Sequence, residues 1–218
     1  MAGLPDDELL ATWRAGSAEA GELLFERHYE AVRRYFRNKV PPAATRDLVQ
    51  DTFLACVEAC DRFARRSSFR TYLLGIAHHV MIDYLRAATR RRGALDLSEV
   101  ILADLSPPGD EAIAAKRERR LLLRGLRGLR FPLQVVLELR YWESLSDGEI
   151  AEVLDEPLGT IKTRLRAARH ALEDRLTALS ESADELRSTL DSLQRWAARV
   201  RHAAPAAAVG SREPHAAS

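Results

Sequence analysis

This chain of 218 residues is poor in several residue types that carry chemistry in other proteins: two cysteines, two methionines and 6% aromatic residues. Cys56 and Cys60 stand four apart on a stretch of helical periodicity, where a disulfide would strain the backbone. They are expected as two small buried apolar residues. Zinc would need more ligands at suitable spacing than His78 and His79 supply. No run approaches the roughly 20 apolar residues of a membrane helix, and the first residues lack the apolar segment of a signal peptide. The expectation is a cytoplasmic protein without membrane insertion. Neither a glycine-rich nucleotide loop nor a catalytic dyad is legible, so the chain does not read as an enzyme and no catalytic residue, metal or cofactor is assigned. Net charge is +1, which by itself argues nothing about nucleic acid. Its distribution does. The stretch 86–92 (RAATRRR) is basic, whereas 95–115 holds Asp96, Glu99, Asp104, Asp110 and Glu111 with no Lys or Arg.

What the chain does have is helical periodicity. Hydrophobic residues make up 46%, and abundant Ala, Leu, Arg and Glu favour helices. A first helix opens at Pro5-Asp6-Asp7-Glu8, with acids at its positive end, and ends at Gly16-Ser17. A second is expected over about 18–39, with Leu23, Leu24, Phe25, Tyr29, Val32 and Phe36 as core, stopped by Pro41-Pro42. A third covers about 44–60 and buries Leu48, Val49, Phe53 and Val57. A fourth covers about 69–90. The pattern lapses from Gly93, and Ser106-Pro107-Pro108-Gly109 reads as linker. A second helical module follows, with Leu121, Leu122, Leu126, Leu129, Val135, Val136, Leu139 and Tyr141 as apolar positions. No internal repeat is apparent.

The most informative stretch is 145–175. Leu145, Ile150, Ala151 and Leu154 recur at helical spacing, and Ser146 with Glu149 has the form of a capping box. Asp155-Glu156-Pro157 breaks that helix. The next begins near Gly159-Thr160 and buries Ile161, Leu165, Ala168 and Leu172, leaving Lys162, Arg166 and Arg169 on the other face. Two short helices joined this way form a helix-turn-helix, whose second helix can enter a major groove.

Strings in both modules together carry a family resemblance: DLVQDTFL (47–54), DRF (61–63) and SFRTYLLGIAHHVMIDYLR (68–86) in the first module, and LELRYWESLSDGEIAEVLDEPLGTIKTRLRAAR (137–169) in the second. In this order and spacing they resemble the extracytoplasmic-function (ECF) group of bacterial RNA polymerase sigma factors, of the sigma-70 family, over about 5–176. The resemblance implies an all-α chain of two small helical domains joined by a flexible linker, plus a C-terminal helix. The implied division is 4–92 as sigma region 2, 93–110 as an acidic linker and 111–176 as sigma region 4. It further implies transcription initiation: binding core RNA polymerase and promoter DNA, with −10 and −35 recognition and promoter melting. An anti-sigma factor is a further implied partner. Asp47, Gln50, Asp51 and Glu58 match the helix that docks the polymerase clamp. Phe63, Arg65, Arg66 and Ser67 match the loop that takes up the opened −10 strand, followed by His78, His79, Asp83, Arg86 and Arg90 along one helix face. Phosphates call for basic groups there and an extruded base calls for a pocket. Thr160, Lys162, Thr163, Arg166 and Arg169 match the −35 recognition helix, where arginine can pair bidentately with guanine. Arg164 can instead turn toward the preceding helix. The family often has Asn at the position of His79, Trp at Tyr72 and Arg at Ala167, so these departures bear on which bases are read.

Beyond the resemblance, Leu172, Leu176, Leu179, Ala183, Leu186, Leu190, Leu193, Ala197 and Val200 alternate by four and three, a heptad seam. Ser182 with Glu185 allows a new helix to start there. Residues 177–202 are therefore expected as an amphipathic helical extension that covers its own domain, or that exerts intramolecular control or dimerises. Residues 203–218, rich in Ala and Pro, are expected to be disordered. Two rival readings stay open: a stand-alone helix-turn-helix regulator that does not use core polymerase, and an interaction protein whose heptad helix captures a partner.

Overall fold

The structure, a computed structural model, describes residues 3–63, 67–90, 98, 100–102, 117–180 and 189. Eight α-helices form among them: α1 Asp6–Arg14, α2 Ala18–Arg37, α3 Pro42–Ala59, α4 Phe69–Arg90, α5 Arg117–Arg127, α6 Phe131–Tyr141, α7 Asp147–Leu154 and α8 Leu158–Leu179. A 3₁₀ turn, Cys60–Arg62, follows α3. One isolated antiparallel bridge, Ile101 to Arg130, is the extended pairing among the described residues. The all-α expectation holds.

In the first domain, Ser17 caps α2 by accepting from the Ala20 amide. Gly16, at φ +104°, makes the left-handed turn between α1 and α2 that a side chain would resist. Helix α4 fills the centre, burying Phe69, Leu73, Leu74, Ala77, Met81 and Leu85 against α2 and α3. Gly21 lets α1 lie close to α2, since a Cβ there would come within 2.8 Å of the Trp13 ring. Cys56 and Cys60 are buried free thiols, as expected, and burial pushes the Cys56 thiol up to about 12.

In the second domain, α5, α6 and α8 pack together, with Leu172 and Leu176 of α8 seated over Gly125 of α5. Helix α8 ends at Leu179, where Ser180 turns to extended backbone and its hydroxyl donates back to the Leu176 carbonyl. The Ser182–Glu185 cap and most of the heptad seam lie outside the described residues. Thr189 is described, and it is buried.

Three expectations need correction. Val57 is 51% exposed rather than buried, and Tyr29 is 44% exposed. Both lie at the edge of their helix's apolar stripe, where hydrophobicity alone does not decide burial. Within the linker, Val100 and Leu102 are buried, and the Val100 carbonyl accepts from the Phe131 amide at 2.7 Å. Acidic composition concealed this short apolar anchor. The two domains pack directly on one another, α4 against α7 and the end of α2 against α6.

Candidate polymerase and nucleic-acid interfaces

Three exposed faces hold the residues singled out by sequence. On α3, Asp47, Gln50, Asp51 and Glu58 are all exposed, while Leu48, Val49, Thr52 and Cys56 are buried beneath them. Their spacing of three, four and eleven puts them along one side of the helix. Leu54 (53% exposed) falls on the same line, and Val57 (51%) flanks it. Sequence reasoning missed these two, because an apolar residue in an amphipathic helix is read as core by default. Three apart in sequence, Leu54 and Val57 are neighbours on the helix surface beside these polar groups.

On α4, His79, Asp83, Arg86 and Arg90 are exposed along one face. The His79 Nδ1 donates to the Gly75 carbonyl at 2.8 Å, which leaves Nε2 as its remaining polar atom. Arg86 pairs with Asp83 at 3.3 Å, and both are well exposed. His78 does not belong to this face. Its ring lies between the two domains, where it stacks on Phe131 with planes 3° apart and accepts from the Tyr35 hydroxyl at 2.8 Å. Burial, helped by His79, Lys39 and Arg164, lowers its pKa to about 3, so the ring is neutral. The Tyr35 phenol is raised well above its usual value by burial and by Glu138, so it keeps the proton that it donates.

The loop before α4 is anchored rather than open at its base. Phe63 is 6% exposed and stacks on Tyr72 at 4.3 Å, with Phe69 edge-on at 6.2 Å. It is a core residue in this state, not an exposed wall of a base pocket. Tyr72 donates its hydroxyl proton to the Ala59 carbonyl at 3.0 Å. From α1, the Arg14 guanidinium donates to the carbonyls of Cys60 and of Phe63, the latter at 2.7 Å. Arg14 was not foreseen, since a helix-end arginine carries no sequence mark of what it reaches 49 residues on. Ser67 is half-buried at the other end of the loop, and Arg65 and Arg66 lie outside the described residues.

The helix-turn-helix forms as its local chemistry dictates. Ser146 accepts from the Glu149 amide at 3.2 Å while Glu149 accepts from the Ser146 amide at 2.8 Å, the reciprocal capping box. Asp155 closes α7 in the left-handed region, φ 50° and ψ 48°, a conformation that Asp tolerates better than most side chains. Pro157 then precedes α8. Ile161, Leu165, Ala168, Leu172 and Leu176 are buried, while Thr160, Lys162, Thr163, Arg166 and Arg169 are all exposed on the far side. Arg164 turns away, pairing with Glu156 at 2.6 Å in the connecting turn. Arg169 donates through Nε to the Tyr141 hydroxyl at 3.0 Å. Among the described residues no group of three or more His, Cys, Asp or Glu could hold a metal ion, and no helix is long and apolar enough to cross a membrane.

Comparison with known proteins places both modules. Residues 24–91 match the Sigma-70 region 2 family and residues 119–172 match the family described as Sigma-70, region 4. The ECF RNA polymerase sigma-E factor of Haemophilus influenzae is 30% identical over 190 residues, covering 81% of this chain and 97% of that protein. The sigma-E factor of Escherichia coli K12 is 29% identical over 185 residues, covering 81% and 96%. Among solved structures, CnrH in complex with the cytosolic domain of CnrY is similar at 27% identity and a TM-score of 0.59, over 80% of this chain and 99% of that one. The sigma factor RpoE of Bartonella quintana, in complex with the anti-sigma factor NepR, shares the fold at a TM-score of 0.55. With both sigma-70 regions in order and a 30% identical relative matched over nearly its full length, the chain belongs to the ECF sigma factors of RNA polymerase.

Proposed function

We propose that this sigma factor works through the three exposed faces in a division of labour. The protein is a transcription initiation factor that binds core RNA polymerase and directs it to promoters. The α3 face of Asp47, Gln50, Asp51 and Glu58, with Leu54 and Val57 between them, docks the polymerase. The α4 face of His79, Asp83, Arg86 and Arg90, with Arg65, Arg66 and Ser67 of the loop before it, takes the −10 strand once it is single. Phe63 holds that loop in place from the core. Thr160, Lys162, Thr163, Arg166 and Arg169 of α8 read the −35 duplex, and the free amides of the first α8 turn favour a phosphate. Region 2 spans 4–92 and region 4 spans 111–176 in this reading, and the chain works in the cytoplasm.

The observation that carries this reading is the arrangement of α8. Five sequence-matched polar residues all face solvent, and the helix is held from behind by a capped partner helix. Two solved structures that share this fold are complexes, CnrH with the cytosolic domain of CnrY and the sigma factor RpoE with the anti-sigma factor NepR. Control by an anti-sigma factor, or in cis by residues 177–202, fits the same architecture.

The test is promoter-directed transcription by purified core polymerase with the full chain on a template carrying −10 and −35 elements. Specific transcripts that disappear with Arg166→Ala and Arg169→Ala support the assignment. Duplex binding without core-polymerase binding would favour a stand-alone regulator.

A further inference from the structure

Residues 60–68 join α3 to α4, and the exit from α3 is held by side chains of other helices. The last carbonyls of a helix find no partner within it. At the end of α3 the Ala59 carbonyl accepts from the Tyr72 hydroxyl at 3.0 Å. The Cys60 carbonyl accepts from the Phe63 amide at 3.2 Å, closing the 3₁₀ turn, and also from Arg14 Nε at 3.2 Å. The same guanidinium reaches the Phe63 carbonyl through Nη2 at 2.7 Å. One arginine of α1 thus spans the turn and fixes where the chain leaves it. On the α4 side, the Ser68 hydroxyl accepts from the Thr71 amide at 3.1 Å and pairs with Thr71 Oγ1 at 2.8 Å.

Helix α1 is itself firmly placed, so Arg14 acts from a fixed post. Leu9 and Leu10 are fully buried. Asp6 accepts from Arg27 at 2.6 Å and pairs with His28 Nε2 at 2.7 Å, which clips the start of α1 to α2. Arg14 is the last residue of α1, where a cationic side chain would ordinarily favour the carbonyls of its own helix end. It spends its donors on Cys60 and Phe63 instead. Arg65, Arg66 and Ser67, assigned above to the −10 strand, follow directly on Phe63 in sequence. Each loop residue that has to be ordered on binding lowers affinity by about five-fold or more.

We propose that Arg14 is a positioning residue for capture of the −10 strand. It touches no DNA. By pinning the Cys60 and Phe63 carbonyls it sets the start of the loop, so that Arg65, Arg66 and Ser67 meet the unpaired strand with less ordering left to do. The chemistry selects arginine for this task. Its planar fork carries several donors in fixed directions and can hold two carbonyls at once, whereas a lysine ammonium is a single point on a flexible stem. Helix α1 thereby takes part in promoter reading through a contact 49 residues along the chain. This inference rests on the −10 assignment of the loop made above.

The experiment assembles holoenzyme from purified core polymerase and the full chain as wild type, Arg14→Lys and Arg14→Gln. The probes are a short single strand carrying the −10 element of a promoter that the wild type transcribes, its single-base variants, and a −35 duplex. Arg14→Gln is expected to bind the matched strand about five-fold or more weakly and to discriminate less between it and the variants. Affinities for core polymerase and for the −35 duplex should not change. Arg14→Lys should fall between Arg14→Gln and wild type, and it carries the same comparison if Arg14→Gln fails to assemble. The affinity ratio between strands decides the matter, because a partly unfolded sample lowers both affinities equally and leaves their ratio alone. Unchanged strand affinity and ratio overturn the proposal. Weaker binding at an unchanged ratio also overturns it and makes Arg14 a structural brace only. If the wild-type holoenzyme itself shows no preference among the strands, the −10 assignment of the loop fails, and the role of Arg14 falls with it.

Discussion

Arg169 Nε and the Tyr141 hydroxyl lie 3.0 Å apart, a hydrogen bond that ties the outer face of α8 back to the end of α6. The bond uses the guanidinium Nε of an exposed side chain. Arg169→Ala and Arg166→Ala are each expected to weaken binding of −35 duplex by about 1–3 kcal/mol if the side chain pairs with a base. Tyr141→Phe removes only the tether and is expected to cost a smaller part of the Arg169 effect. Affinities of the three variants at one fixed salt concentration check this. Equal binding by Arg166→Ala, Arg169→Ala and wild type would take both arginines out of the interface.

The α3 face mixes carboxylates with two exposed apolar side chains. Asp51→Lys, Leu54→Ser and Val57→Ser are each expected to weaken core-polymerase binding. Since all three residues face solvent, stability should stay within about 0.5 kcal/mol of wild type. Paired core-binding and urea-unfolding measurements distinguish an interface from a packing defect. A drop in stability matching the drop in binding would reassign Leu54 and Val57 to the fold.

His78 is expected to make the stability of the folded chain depend on pH. Its folded pKa of about 3 is far below the usual 6.5, because burial between Tyr35 and Phe131, with Lys39, His79 and Arg164 nearby, disfavours the imidazolium. The unfolded chain binds a proton on this ring below about 6.5 and the folded chain does not until far lower pH. Stability is therefore fully present above about 6.5 and is lost as pH falls, by up to about 1.4 kcal/mol per unit. His78→Gln should flatten the difference in unfolding free energy between pH 6 and pH 5. Parallel pH profiles for wild type and variant would show that other groups set the slope.

Lys39 and Glu138 are both buried and pair across the domain interface. Removing one partner leaves the other charge buried without it, so Lys39→Met alone should destabilise by about 3–5 kcal/mol. The double change Lys39→Met with Glu138→Leu should recover most of that loss. A double-mutant cycle by urea unfolding measures the coupling, and strictly additive losses would show that the pair does not act together.

The capping box of α7 lies in an exposed turn, so its contribution is separable from packing. Ser146→Ala should cost about 1 kcal/mol of stability. Because α7 supports α8, duplex affinity should fall in step. Unchanged thermal unfolding would mean that Glu149 alone satisfies the helix end.

Much of this molecule is written in local pattern. The helix-turn-helix was legible because capping, the Asp155-Glu156-Pro157 break and the spacing of Ile161, Leu165 and Ala168 are short-range effects that tertiary contacts reinforce. The exposed side of α8 followed from the same spacing, as did Asp47, Gln50 and Asp51 on α3. Val57 and Tyr29 went the other way, because apolar character marks what a residue tolerates and not what happens to cover it. Phe63 was legible as an aromatic on the loop, but its partner Tyr72 was needed to seat it in the core.

The sequence by itself determined the helices, their caps, the order of the two sigma regions and the polar faces they present, all products of interactions within a few residues. Only the tertiary structure decided that His78 leaves the exposed line of His79, Asp83, Arg86 and Arg90, and that Arg14 braces a loop 49 residues away. It alone joins Arg34 to Glu143 across 109 residues and Lys39 to Glu138 across 99. The physical reason is common to all of them. A charged or polar side chain shows in sequence only its capacity for a partner, and which partner it meets is set by how whole helices pack.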